Sequence, residues 1–428
     1  MELQYLIRYT VLACSIGTLA ACSSANTGTS TPTTTTVSGS IFAAPVVGTD
    51  VYIKDMNSNE IAGPVPTGSD GTFTVTLDNT DLASTLVFES TFGTFTDEAT
   101  GDPNVTAGSM SVITEANSLS STSNSVHATP GTTIIRKLVS GGMAMNDAVD
   151  AFTTAFGYTP DHSIAPTDTT NPATGAEDAQ ILAGLRAAAF SQLAMELGLT
   201  PAQQFDLFDA LTEDLSDGTL DAVVDDGLGN ITPVSVGGNN LPEDIQNRFT
   251  TAFLNYHNNG LMMPTMDEFN ANNQTVLTSD KIGLLPFGKV TYTKDYRVQY
   301  MSMMPYVGKT TFTLKVTDYD GTTPVDNLSP ALMPMMNMAD MRHNTPVGDM
   351  TPKGNGEYEF TIYYLMPNMM GGYWDLGVDL DGSMDNTAHF YPTVMNPMDG
   401  TTSRVVLKGL NDNDDMTVDD DIPVSYTH

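Results

Sequence analysis

The apolar residues of this chain change their spacing twice, and that change limits what it can fold into. From Val37 to about Thr114 they fall at every second position, as on a strand with one buried face. From Thr132 to about Asn259 they recur every three or four positions, as on one stripe of a helix. From about Leu284 the period of two returns. A helix-period segment laid out as a strand turns its apolar side chains to both faces, so the three regions adopt different structures. A chain of 428 residues also exceeds one typical domain. The expected fold class is multidomain α+β: an N-terminal β-sandwich over residues 37–114, a central α-helical region over 132–280 and a C-terminal β-sandwich over 284–410. An acidic tail, 411–428, follows.

Particular residues carry each assignment. "TDVYIKD" sets Val51 and Ile53 on one face, and "DGTFTVTL" does the same for Phe73, Val75 and Leu77. In the middle region Ile181, Leu182, Leu185, Ala189, Leu193 and Leu197 form one stripe. Thr200-Pro201 supplies an N-cap and first-turn proline for a helix carrying Phe205, Leu207, Phe208 and Leu211. Ile245, Phe249, Ala252, Phe253 and Tyr256 make a further inward face. Asp217, Asp221, Asp225 and Asp226 are dense in acid but lack the Asp-x-Asp-x-Asp-Gly order of a calcium loop, and read as a solvated helix end. In the tail Met416 stands where such a loop needs glycine, so that segment also reads as solvated. After Leu284 about six short β-branched and aromatic runs, divided by turn residues, fit an Ig-like sandwich. The order "VSGSI", "TDVYI", "GSDGTFTVTL" resembles carboxypeptidase-regulatory-like and bacterial Ig-like modules, which implies a small β spacer.

Charge and cysteine use narrow the function classes. There are 51 acidic against 16 basic side chains, a net charge of −35, and such a surface repels phosphate backbones, so no nucleic-acid partner is expected. Adaptation to a salty habitat gives the same balance. The two cysteines, Cys14 and Cys22, precede the folded regions, which leaves those regions without disulfides or thiolate metal sites. "YLIRYTVLACSIGTLAAC" is too short and too interrupted for a membrane span and fits a secretory leader. Leu19-Ala20-Ala21-Cys22 resembles the lipobox of bacterial lipoproteins. The resemblance implies removal of residues 1–21, acylation of Cys22 and attachment to the membrane through lipid. Ser23 rather than aspartate follows the cysteine, which by that sorting pattern implies the outer membrane, facing the periplasm or the cell surface. Residues 22–36, rich in Ser and Thr, read as a disordered tether.

Methionine is unevenly placed: nine of 25 fall in residues 1–300 and sixteen in residues 301–428. They gather as Met301, Met303 and Met304; as Met333, Met335, Met336, Met338 and Met341 ahead of His343; and as Met366, Met369 and Met370 ahead of Trp374. Three roles compete. Methionine fills irregular cores and packs on aromatic rings. Exposed methionine scavenges oxidants as its sulfoxide. Thioether sulfur also binds soft Cu(I) in preference to Zn²⁺, Mg²⁺ or Ca²⁺. Alternation decides part of this: Met333 and Met335 point to one side of a strand, Met336 and Met338 to the other, and one core buries only one side. A histidine ends the run, and imidazole completes a low-coordinate thioether set that acid would release.

The succession "PYVGKTTFTLKVTD", "MPMMNMADMRH", "GNGEYEFTIYYLMPNMMGGYWDLGVDL" resembles the YtkA-like/FixH-like β-sandwich domain of bacterial envelope proteins, from about Met304 to Leu380. The resemblance implies an extracytoplasmic Ig-like fold and a link to copper delivery or efflux, with a copper donor or acceptor protein as partner. Carried over by position, it implies Met335, Met338 and His343 together with Met366, Met369, Met370 and Trp374 as the metal segment; Met341, in the same run, is a further candidate ligand. His389 is a further imidazole in a strand-like run. The chain lacks Gly-x-Ser-x-Gly, His-Glu-x-x-His, a P-loop and a dinucleotide fingerprint, so no enzyme is expected. The competing reading is a structural lipoprotein whose sandwiches meet partner proteins, with exposed methionines as adaptable contacts.

Overall fold

Alternating burial organises most of the chain into sheets. The computed structural model describes residues 33–171, 175–259, 288–303, 305–338, 342–368, 372–396, 402–407 and 422–427. These form a β-rich, multidomain protein with five α-helices and several sheets among the described residues.

The first region contains β1 (Thr34–Ile41), β2 (Asp50–Asp55), β3 (Glu60–Pro66), β4 (Thr72–Asp78), β5 (Leu86–Ser90), β6 (Gly93–Phe95), β7 (Val105–Ala107), β8 (Ser111–Thr114) and β9 (Ser125–Ala128). One sheet has the order β4-β1-β9 and another the order β3-β2-β5-β8. Val51 and Ile53 are fully buried, and Phe73, Val75 and Leu77 line the buried face of β4, as the alternation predicts. β9 lies beyond the predicted limit of 114. It runs parallel to β1, placing Val126 beside Gly39 so closely that any β-carbon at Gly39 would strike the Val126 carbonyl.

The helices are α1 (Pro130–Ser140), α2 (Met145–Phe156), α3 (Asp178–Glu196), α4 (Gln204–Asp214) and α5 (Ile245–Asn259). Thr200 and Gln203 form a capping box over the Pro201–Gln203 turn that leads into α4. α3 exceeds its predicted stripe: Ala187, Ala188, Ala189, Phe190, Ser191 and Gln192 are all buried, so every side of its middle is covered. Packing crosses the 114–132 segment without a break. One hydrophobic core joins Val37, Phe73 and Phe88 of the strands to Ile134, Phe152, Phe190, Phe208 and Phe249 of the helices. After α4 come two hairpins, β10 (Val223–Asp225) with β11 (Ile231–Pro233) and β12 (Ser235–Val236) with β13 (Asn239–Asn240). Asp225 and Asp226 are solvent-exposed there, on a hairpin rather than a helix end.

A second core serves the last region. β14 (Val290–Tyr292), β15 (Tyr296–Tyr300), β16 (Gly308–Asp318), β17 (Ala331–Met338), β18 (Arg342–His343), β19 (Thr351–Gly354), β20 (Glu357–Tyr364), β21 (Gly372–Asp379) and β22 (Thr387–Phe390) form two antiparallel sheets, β14-β15-β16-β20-β19 and β18-β17-β21-β22. Phe312, Leu314, Tyr358 and Phe360 from the first sheet meet Met336, Trp374, Leu376 and Phe390 from the second. β23 (Thr402–Leu407) pairs with β24 (Ile422–Thr427), so the expected solvated tail contains a strand at its end. The acidic residues of the tail lie between 411 and 421, ahead of β24.

The segment before α5 ties the two cores together. Glu243 receives Arg297 Nε at 2.8 Å and the Tyr292 hydroxyl at 3.1 Å, and Asn247 Nδ2 donates to the Val290 carbonyl at 3.0 Å.

Candidate metal centre

The methionine strand β17 alternates as its sequence demands. Met336 is fully buried, whereas Met333 is 50% exposed. Met338 is half-buried and packs against the second core from the same face as Met336; Met335 stands on the opposite face with Met333. Register places His343 opposite Met336 on one side and Trp374 opposite it on the other. Directly opposed residues of antiparallel strands share a face. His343, Met336 and Trp374 therefore form one row across β18, β17 and β21, with Met338 two residues along and opposite Gly372.

Trp374 fixes the row. It is fully buried, its ring meets His343 edge to face at 5.9 Å between centroids, and Tyr364 packs on it at 5.1 Å. Its Nε1 donates to the Met366 carbonyl oxygen at 3.0 Å. That bond draws the chain after β20 back over the row, and the half-buried Met366 side chain joins the same core. Asn368 holds the segment further, exchanging bonds with Val394: Asn368 N donates to the Val394 carbonyl at 3.1 Å and Val394 N to Asn368 Oδ1 at 2.8 Å.

His343 sits where the two sheets meet. The residues after it leave β18 and bond to β20: the Thr345 hydroxyl donates to the Tyr363 carbonyl, and Tyr363 N donates to the Pro346 carbonyl at 3.0 Å. The His343 Nδ1 lies 2.9 Å from the Asn344 carbonyl oxygen. A carbonyl only accepts, so Nδ1 carries the proton and Nε2 presents its lone pair. This is the tautomer in which a metal-binding imidazole is oriented by a backbone carbonyl.

The predicted residues thus divide. Met338, His343 and Trp374 lie at one end of the β18-β17-β21 layer, and the Trp374 bond brings the Met366 backbone to the same end. Met335 is separated from them by the pleat. Met341, Met369 and Met370 lie outside the described residues. Met336, from the same methionine run, is a core side chain; the register that buries it depends on strands far away in sequence. His389 takes a different place: its Nδ1 lies 2.8 Å from Asp375 Oδ1 on the outer face of the sheet, and that bond raises its pKa. Asp375 is the cross-strand neighbour of Met335.

Among the described residues no group of three or more histidine, cysteine or carboxylate side chains is placed to hold a metal ion. The His343 end offers soft donors: an imidazole nitrogen and thioether sulfurs beside an indole. Also among the described residues, no helix is long and apolar enough to cross a membrane. Comparison with protein-family models and with curated proteins finds no match to the chain.

Proposed function

We propose that the protein is an envelope lipoprotein, held at the outer membrane through acylated Cys22, that binds Cu(I) through methionine and histidine of its C-terminal domain for buffering or transfer. The ligands are His343 Nε2 with the thioethers of Met338 and Met366, and Trp374 shields the site; Met341, Met369 and Met370 are the neighbouring sulfurs in sequence. In this reading residues 284–410 are an Ig-like sandwich of the YtkA-like/FixH-like kind, residues 37–114 a carboxypeptidase-regulatory-like spacer, and the partner a copper donor or acceptor protein. The protein is not an enzyme.

One observation supports the reading most. Residues separated by up to 36 positions, Met338 to Trp374, are drawn to one end of a sheet, and the one histidine among them has its metal-competent nitrogen free of the backbone bond. A plain core needs the burial of Met336 and Trp374; it does not need a half-buried imidazole in that tautomer. The interaction reading has its own support, since Met301, Met303 and Met384 are exposed by 51%, 86% and 94%.

The test is an anaerobic competition titration of the full-length protein with Cu(I) against a colorimetric chelator. His343→Ala combined with Met338→Leu is expected to weaken binding by at least tenfold. An unchanged affinity removes these residues from the site, and no binding by the unaltered protein removes copper.

A further inference from the structure

The helical half holds a second cavity of different character, independent of the copper reading. It has a volume of about 270 Å³ and lies between the start of α1, the 158–164 connection and the first half of α3. Its walls are apolar, chiefly Pro130, Ile164, Leu182 and Ala183. One strong cation faces it, Arg186. The guanidinium carbon lies 4.4 Å from the centroid of the Tyr158 ring. Arg186 makes no hydrogen bond or ion pair with any described residue, whereas Arg248 pairs with Asp244 and Arg297 with Glu243.

Acidic side chains outnumber basic ones 51 to 16, so a carboxylate partner is easy to supply and this arginine lacks one. The guanidinium is half-buried and its N–H donors have no acceptor among the described residues, so they are open to an acceptor that enters the cavity. Its planar fork matches a carboxylate two bonds at a time. The fork lies over the Tyr158 ring. The carboxylate at the rim, Asp161, is exposed and is engaged by the Ser163 backbone N–H at 2.9 Å and the Ser163 hydroxyl at 2.7 Å. Its negative charge works against a dianion such as phosphate and less against a single charge. An apolar cavity of about 150 Å³ accepts benzene. The space here therefore takes a ring or short alkyl chain together with its carboxylate.

We propose that this cavity is a binding site for a small monocarboxylate with an apolar body, its carboxylate held by the Arg186 fork and its body by Pro130, Ile164, Leu182 and Ala183. Isothermal titration of the full-length protein with phenylacetate and its neutral isostere phenylacetamide tests this. Phenylacetate is expected to bind at least tenfold more tightly than the amide, which is about 1.4 kcal/mol. Arg186→Met keeps the aliphatic stem over Tyr158 and is expected to abolish that preference. Ala183→Leu keeps the guanidinium but narrows the cavity, and is expected to lose phenylacetate binding even where the arginine variant fails to fold. Equal affinity for acid and amide, a preference surviving Arg186→Met, or no binding by the unaltered protein at about 10 mM ligand, where a millimolar site saturates, would overturn the proposal.

Discussion

Met336 and Met338 are two residues apart on one face of one strand, yet they are assigned different work. Truncating Met336 tests the division. Its side chain is fully buried between His343 and Trp374, so Met336→Ala removes three heavy atoms from a closed core. Such truncations cost about 2–5 kcal/mol, the spread reflecting how far the site collapses. Trp374 is the sole tryptophan, is fully buried and lies next to the deleted atoms, so its fluorescence reports unfolding of this core alone. Taking a loss of about 3 kcal/mol and a urea dependence of about 1.5 kcal/mol/M, the Trp374 midpoint falls by about 2 M. Met336→Leu nearly conserves volume and is expected to cost under about 1.5 kcal/mol. It also removes the sulfur, and Cu(I) affinity is expected to stay unchanged. Met333, 50% exposed on the other face, serves as control, with Met333→Ala within about 0.5 kcal/mol of the parent. Equal shifts for Met336→Ala and Met333→Ala would refute the register from which the site is built. A tenfold loss of copper affinity in Met336→Leu would refute its assignment to packing.

Other buried groups give separate expectations. Burial pushes the Asp214 carboxyl up to about 7, although the backbone N–H groups of Asp221 and Ala222 pull it down, and burial holds Glu98 well above the carboxylate range. For both, the folded state keeps its proton longer than the unfolded chain, so stability falls as pH rises above about 4. For Asp214 the loss is at most ~4 kcal/mol by pH 7; Asp214→Asn is expected to flatten that part of a thermal-melt pH series. Glu98, fully buried and with Asp97 and Asp168 adding to the upward push, is expected to tolerate Glu98→Gln at neutral pH with no loss of melting temperature. His389 has the same sign in a higher pH window: its bond to Asp375 raises its pKa, so the stability it lends is complete below the unfolded value of about 6.5 and is lost as pH rises through the folded one. In an NMR titration its midpoint is expected to drop on Asp375→Asn. Glu243→Ala removes the acceptor of Arg297 and Tyr292 between the two cores and is expected to cost about 1 kcal/mol at the Trp374 transition, seen as a lower urea midpoint.

Local periodicity made much of the architecture legible. The alternation of β4 and β20 and the Thr200-Pro201 helix start follow from neighbours within a few residues, and the structure has them where the pattern puts them. What escaped is long-range. Nothing near Ser125–Ala128 indicates a parallel pairing with β1, and the burial of α3 on all sides depends on α1, α4 and α5 being packed around it. The same holds for the site. The pleat separates Met335 from Met338 in the sequence itself, but which of the two faces is the core depends on β21, over thirty residues later. The tautomer of His343 and the capture of His389 by Asp375 depend on single oxygen atoms placed by the fold. Arg186 drew no reading from the sequence, because its place beside Tyr158 and the cavity shows only once its surroundings are known.

The central claim is that Cu(I) is held jointly by imidazole and thioether at the His343 end of the second sheet. X-ray absorption at the copper edge of the Cu(I)-loaded full-length protein tests it most directly. The account predicts a first shell of mixed sulfur and nitrogen, with the nitrogen contribution lost in His343→Ala and a sulfur contribution lost in Met338→Leu. A shell of oxygen and nitrogen only, or a mixed shell unchanged in both variants, would contradict it.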